Sequence, residues 1–243
     1  MKIALPPRAR AAFLLDLDGT LIDIAPTPDA VVVPDGLLDS LRALRDLCGG
    51  ALAIVTGRTL KDVDALLADA PTAVAAEHGT SLRHHPGEAP DTQGIDDPPP
   101  AWLDQASRLT EVHPGTCLEH KRHGFVVHYR GAPDAGTATE QALRAMIVNK
   151  ADEFVLLAAK MAWEVRPAGI DKGFAVRAIM QRAPFAGRLP IFIGDDVTDE
   201  DGIAAAESLG GIGLRVADAF GEPGNVRDWL GRLATGSEAW HDE

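Results

Sequence analysis

The 243-residue sequence predicts an α/β fold, a doubly wound parallel-sheet core carrying an inserted α+β domain of order αββαββ with an antiparallel sheet. Three observations predict it. At both ends of the chain, short apolar runs alternate with helical stretches, the βαβα rhythm of a parallel sheet with right-handed crossovers. Between them the rhythm changes to alternating runs joined by short turns, the pattern of an antiparallel sheet. The runs Phe13-Leu14-Leu15 and Ile191-Phe192-Ile193 each deliver carboxylates at their C-terminal ends, where open α/β sheets place their chemistry.

In chain order, a strand over 13–16 precedes a helix over 36–48, which begins after Pro34 and stops at Gly49-Gly50. A strand over 51–55 and a helix over 60–68 capped by Thr59 follow, then an apolar run over 73–76 that reads as a strand end. Residues 84–100, rich in Pro, Gly and Asp, read as a polar connection. The insert then runs as a helix over 101–112, strands over 117–121 and 124–130, a helix over 134–150, and strands over 154–158 and 161–166. The core resumes with a helix over 172–182, a strand over 190–194, a helix over 200–207, a strand over 212–216 and a helix over 225–233. This sets the domains at 1–102 with 168–243, and at 103–167, with Pro167-Ala168-Gly169 as the exit hinge.

Composition narrows the function classes. A formal charge of −13 disfavours a general nucleic-acid or anionic-membrane surface, so an anionic substrate must be met by local cations. Two cysteines, Cys48 and Cys117, form no disulfide framework, and no Cys/His spacing suits zinc. The start of the chain lacks the apolar stretch of a signal peptide and no run reaches the ~18 residues of a membrane span. A cytoplasmic monomer is the expectation.

The chemistry is concentrated in Asp16-Leu17-Asp18-Gly19-Thr20-Leu21, in Lys172, and in Gly194-Asp195-Asp196-Val197-Thr198-Asp199, with Thr56-Gly57-Arg58 between the first two. Carboxylates gathered without cations repel one another, so three or more in one crevice imply a divalent metal, and an all-oxygen donor set favours Mg²⁺ over zinc. With a lysine alongside, such a site can neutralise a transferring phosphoryl group while one aspartate attacks it.

On these motifs the chain resembles the haloacid dehalogenase-like phosphatases. The resemblance implies Asp16 as nucleophile, Asp18 as general acid and base, Thr56 as the phosphoryl-holding hydroxyl and Lys172 as the charge-neutralising cation. It implies Mg²⁺ on Asp16, Asp18 and Asp195, with Asp196 and Asp199 in support, and the second aspartate of the first motif argues for phosphate-ester hydrolysis over dehalogenation. The position of the insert resembles the cap of the group containing trehalose-6-phosphate phosphatases, sucrose-phosphate phosphatases and phosphomannomutases. Within that group Glu119-His120-Lys121, His128-Tyr129-Arg130 and Glu164-Val165-Arg166-Pro167 are similar to the cap segments of the trehalose-6-phosphate phosphatases.

That resemblance implies trehalose 6-phosphate as substrate, gripped by Glu119, Lys121, His128, Arg130 and Glu164, with Arg58 and His78 near the reacting end. Glu119 and Lys121 share a strand face, and a carboxylate beside an ammonium meets the accepting and donating halves of a sugar hydroxyl. A solvated strand of alternating charge is the plain alternative. A phosphatase or mutase for another sugar phosphate would share every core motif, whereas a non-catalytic module would lack a key residue, and none is missing. His84, His85, His113, His120 and His123 read as surface residues, Cys48 as a small core residue, and Trp229 and Trp240 as packing and tail residues. Asp201-Gly202-Ile203 departs from the usual small-then-aromatic pattern of relatives.

Overall fold

A computed structural model describes residues 3–25, 30–91 and 94–240. Met1, Lys2 and positions 92 and 93 of the predicted connection lie outside the described residues. By packing the chain divides into two compact units, Met1–Asp91 with Asp171–Glu243, and Thr92–Ile170.

The first unit opens with β1 (Ala11–Leu15), α1 (Leu37–Leu47), β2 (Leu52–Val55), α2 (Leu60–Leu67), β3 (Ala73–Ala76) and β4 (Ser81–Arg83). The second unit contains α3 (Pro100–Val112), β5 (Cys117–Lys121), β6 (Gly124–His128), α4 (Gly136–Ile147), β7 (Phe154–Ala159) and β8 (Ala162–Pro167). The first unit then resumes with α5 (Lys172–Met180), β9 (Leu189–Gly194), α6 (Glu200–Ser208), β10 (Ile212–Arg215), α7 (Val216–Ala219) and α8 (Pro223–Ala234).

The first unit's sheet has the order β10-β9-β1-β2-β3-β4. Neighbours pair in parallel from β10 to β3, while β4 pairs antiparallel with β3 at the edge. Every residue of β1 is buried, and because alternate side chains point to opposite faces, both faces are covered. That is why the strand reads as a continuous apolar run. The chain winds outward from β1 in one direction through β2 and β3 and in the other through β9 and β10, so the winding reverses at β1 and β9. Leu15 pairs with Ile193, and the Asp16 amide donates to the Ile193 carbonyl at 2.9 Å. The two acidic motifs therefore emerge side by side.

Local chemistry sets the helix ends. Thr59 caps α2 by accepting from the Asp62 amide, as predicted, and Asp171 caps α5 by accepting from the Phe174 amide at 2.7 Å. Gly36, at φ 77°, and Gly49 and Gly50, at 57° and 89°, bracket α1 in backbone that other residues resist. β4 and α7 were not foreseen. Each is short, and three or four residues carry too little periodicity to register.

The second unit is an antiparallel sheet of order β5-β6-β8-β7 with α3 and α4 packed on one face. Its core holds Trp102, Phe125, Val127, Leu143, Phe154 and Val165, with Trp102 and Phe154 edge to face at 5.2 Å. The unit is wider than 103–167 because α3 starts at Pro100 and buries Trp102 in this core. β6 ends at His128, two residues short of the predicted strand, so Arg130 lies in the following turn. His123, expected at the surface, is buried with its Nδ1 2.7 Å from Asp97. Trp240, expected as a tail residue, packs against Phe13 at 6.1 Å. Among the described residues no helix is long and apolar enough to cross a membrane.

Candidate active site

At the C-terminal ends of β1 and β9 the first unit holds a buried charge cluster. Lys172 Nζ donates to Asp16 Oδ1 at 2.7 Å and to Asp199 Oδ1 at 2.6 Å, and all three residues are buried. Burial pushes the Asp16 carboxyl up to about 7, against the pull of the Lys172 ammonium. Burial also works against the Lys172 charge, but Asp16 and Asp199 outweigh it and hold the lysine above its ordinary value. The second oxygen of Asp199 accepts from the Asp195 and Asp196 amides at 3.1 and 3.0 Å. Asp199 thus uses both oxygens to fix the lysine and the loop that presents Asp195.

Asp195 is exposed, and its carboxyl is raised by partial burial and by the nearby charges of Asp199 and Asp196. Carboxylate oxygens of Asp16, Asp195 and Asp199 lie within 4.8 Å of one another. These are hard oxygen donors, three carboxylates against one ammonium, and the residues fit a hard divalent cation. Thr20 Oγ1 donates to Asp195 Oδ1 at 3.4 Å. Gly19, at φ 79°, lets Asp195 approach, since a Cβ there would stand 2.1 Å from its Oδ2. Asp196 caps the short turn after it by accepting from the Val197 amide, and its side chain stays exposed.

Asp18 does not join that group through its side chain. Both of its carboxylate oxygens are held by Arg58, Nε to Oδ2 and Nη2 to Oδ1, each at 2.6 Å. The carboxylates that converge in this structure are Asp16, Asp195 and Asp199, while the side chain of Asp18, expected among the metal ligands, is turned to Arg58. The reason is geometric: a guanidinium fork matches a carboxylate edge and occupies both acceptors.

Thr56 is buried directly after β2, and its hydroxyl accepts from the Arg58 amide at 3.2 Å. The loop is tied to residues after β3, because the His78 amide donates to the Thr56 carbonyl and the Glu77 amide to the Arg58 carbonyl, both at 2.9 Å. Glu77 and His78 sit at φ 49° and 60°, left-handed backbone that costs roughly 1–3 kcal/mol per non-glycine residue. That turn sets the His78 ring against Gly57, where a Cβ would meet Nε2 at 2.6 Å. His78 thus packs on the Thr56–Arg58 loop.

In the second unit Glu119 is the hub. Its Oε2 lies 2.8 Å from His128 Nε2 and its Oε1 3.0 Å from Lys121 Nζ. The hydrogen bond from His128, then the charge of Lys121, lower its carboxyl to about 2. Glu119 pairs across to Val126 and Val126 to Glu164, so Glu164 shares this face. The helices cover the opposite face, the one bearing Phe125, Val127 and Val165. Arg166 also belongs to the polar face by the two-residue period from Glu164, a signal the sequence offered and the site prediction did not use. Arg130 is exposed in its turn, off this strand face. The contribution of Thr20 was likewise missed, although it lies inside the first motif.

A family model described as trehalose-phosphatase matches residues 14–220. The chain is 37% identical over 235 residues to the trehalose-6-phosphate phosphatase of Escherichia coli (strain K12), covering 96% of this chain and 85% of that protein. It is 38% identical over 228 residues to a probable trehalose-phosphate phosphatase of Sinorhizobium fredii, covering 91% and 82%. In fold it is similar to the C-terminal domain of the C. albicans trehalose-6-phosphate phosphatase, with a TM-score of 0.75, 22% identity and 93% of each chain covered. The matched family model spans both acidic motifs, Lys172 and the whole insert, and on that extent and identity the chain belongs to the trehalose-phosphatase family.

Proposed function

We propose that this protein is a Mg²⁺-dependent phosphatase that hydrolyses trehalose 6-phosphate to trehalose and inorganic phosphate. The observation that carries the reading is the convergence of Asp16, Lys172 and Asp199, residues far apart in sequence, into one buried cluster with Asp195 at its rim. Gathering charges out of water is costly, and a buried charge cluster with a perturbed carboxyl at the strand ends is the signature of a functional site.

Asp16 is the nucleophile. Its carboxylate oxygen forms a bond to phosphorus as the ester P–O bond breaks, and Asp18 gives a proton to the departing sugar oxygen. Asp18 then takes a proton from water, which attacks the aspartyl-phosphate and returns Asp16 and free phosphate. Thr56 donates its hydroxyl to the phosphoryl oxygens, and Lys172 keeps a fixed positive charge beside the attacking carboxylate. Asp16 and Asp195 would hold Mg²⁺, with Asp199 organising their surroundings. Bound there, the ion would supply positive charge against the charge gathering on the phosphoryl group. In the second unit, Glu119, Lys121, His128, Arg130 and Glu164 are the residues proposed to bind the sugar hydroxyls; His78, in the first unit, is proposed to act near the reacting end.

The test is phosphate release over a panel of sugar phosphates that includes trehalose 6-phosphate, sucrose 6-phosphate and hexose phosphates, with product analysis for isomerised sugar phosphate. Preferred turnover of trehalose 6-phosphate with free phosphate as product is expected. Equal turnover of the whole panel, or an isomeric sugar phosphate as product, contradicts the assignment. Asp16→Asn, which removes the attacking oxygen, is expected to lower phosphate release by several decades in the same assay.

A further inference from the structure

The bidentate grip of Arg58 on Asp18 conflicts with the work proposed for Asp18. A proton donor must turn one carboxylate oxygen toward the leaving group, yet both oxygens face the guanidinium at 2.6 Å. Neither loop needs this pair for its own shape. The turn after Asp16 is closed by its own backbone, the Leu21 and Ile22 amides donating to the Leu17 carbonyl at 2.9 and 3.0 Å and the Gly19 amide to the Ile22 carbonyl at 2.8 Å. The Arg58 backbone is fixed on both sides, by the Thr56 hydroxyl and by the Glu77 amide. What remains free to exchange is the side-chain contact. The Asp18 side chain is 36% exposed and the Arg58 side chain 14%, so water and a competing anion reach the pair from the Asp18 side, and a bidentate fork gives up its carboxylate only to a ligand that fills the same two donors.

Arg58 also stands two residues from Thr56, on the loop proposed to receive the phosphoryl group. A phosphate dianion offers a guanidinium the same forked geometry as a carboxylate, with more charge. We propose that Arg58 is a shared clamp. It holds Asp18 in the free enzyme and exchanges it for the substrate phosphoryl group, so that phosphate binding itself releases Asp18 toward the leaving-group oxygen. Arg58 acts through Asp18 as a positioning residue as well as on phosphate. The proposal rests on the reading of Asp16 and Asp18 as nucleophile and proton donor, and it adds an order of events, in which the acid is withheld until the phosphoryl group is in place.

The test is a double-mutant cycle read as the dissociation constant of inorganic phosphate, measured calorimetrically at saturating Mg²⁺, with circular dichroism to verify folding. With Arg58 present, Asp18→Asn removes the competitor and is expected to tighten phosphate binding about tenfold or more. In the Arg58→Ala background the same change is expected to move it less than about threefold, because no clamp remains to be freed. Arg58→Lys serves if the alanine variant fails to fold, since it keeps the charge and loses the fork, and the coupling should shrink there too. An equal effect of Asp18→Asn in both backgrounds overturns the clamp and leaves the phosphatase reading intact. Absence of phosphate binding in every form, together with no sugar-phosphate hydrolysis, removes both.

Discussion

At the scale of single residues, the behaviour of the site follows from how few cations serve its carboxylates. Lys172 lies between Asp16 and Asp199 with all three buried, so Lys172→Ala leaves two desolvated carboxylates without their shared counter-charge. Removing one member of a buried pair costs about 3–5 kcal/mol, and urea denaturation in chelator should show a loss of that order. A loss below about 1 kcal/mol would mean water already screens the cluster. Gly19 is the other sensitive point. Alanine there would adopt φ 79° with its Cβ against Asp195, so the expected outcome is an Mg²⁺ activation constant raised at least about tenfold, with a fold cost of only roughly 1–3 kcal/mol. Unchanged metal dependence in Gly19→Ala would separate Asp195 from the metal site. Asp16, Asp18, Thr56 and Lys172 were legible as candidates because motif spacing picks them out. The partner of Asp18 was not, because a contact across 40 positions leaves no mark in either local segment.

At the scale of elements, the cap sheet divides its labour between faces. One face of the sheet packs Phe125 and Val127 of β6 and Val165 of β8 under helices, and the other carries Glu119 and Lys121 of β5, His128 of β6 and Glu164 of β8. Glu119 has its pKa depressed to about 2, first by the hydrogen bond from His128. A depressed carboxyl contributes stability that is present above its unfolded value, 4.5, and is lost as pH falls toward about 2. Glu119→Gln should therefore be modestly less stable than the native chain at pH 6, with the deficit closing between about pH 4.5 and pH 2 in denaturant titrations. A deficit independent of pH would assign the loss to packing. In activity, Glu119→Ala and Lys121→Ala should each reduce kcat/KM for trehalose 6-phosphate by about ten- to a hundredfold. They should barely affect a small aryl phosphate, and equal losses on both substrates would give the hairpin a structural role. The alternation of these strands was readable, while the end of β6 at His128 was not. The sequence Tyr129-Arg130 continues the strand pattern, but the Tyr129 amide turns to the Met161 carbonyl and the Ala132 amide to the Tyr129 carbonyl, which closes a turn.

At the scale of the whole molecule, each unit has its own apolar core, so chemistry and folding should respond differently to metal. Stripping divalent ions should abolish phosphate release while leaving far-UV circular dichroism nearly unchanged, and Ca²⁺ should fail to restore full rate because its larger, looser shell holds the reacting groups less well in line. Loss of helical signal on chelation would make the ion structural. The sequence by itself determined the α/β core, the order of its strands along the chain, the antiparallel insert and the candidates for the reacting groups, because periodicity and motif spacing are local properties that each segment carries alone. Only the tertiary structure decided that Asp199 holds both Lys172 and the Asp195 loop, that Arg58 occupies Asp18, that His78 is brought to Gly57 by left-handed backbone, and that β4 closes the sheet edge against β3. These depend on which strands lie side by side, and the burial that shifts the Asp16 carboxyl exists only once the sheet and its helices have closed around it.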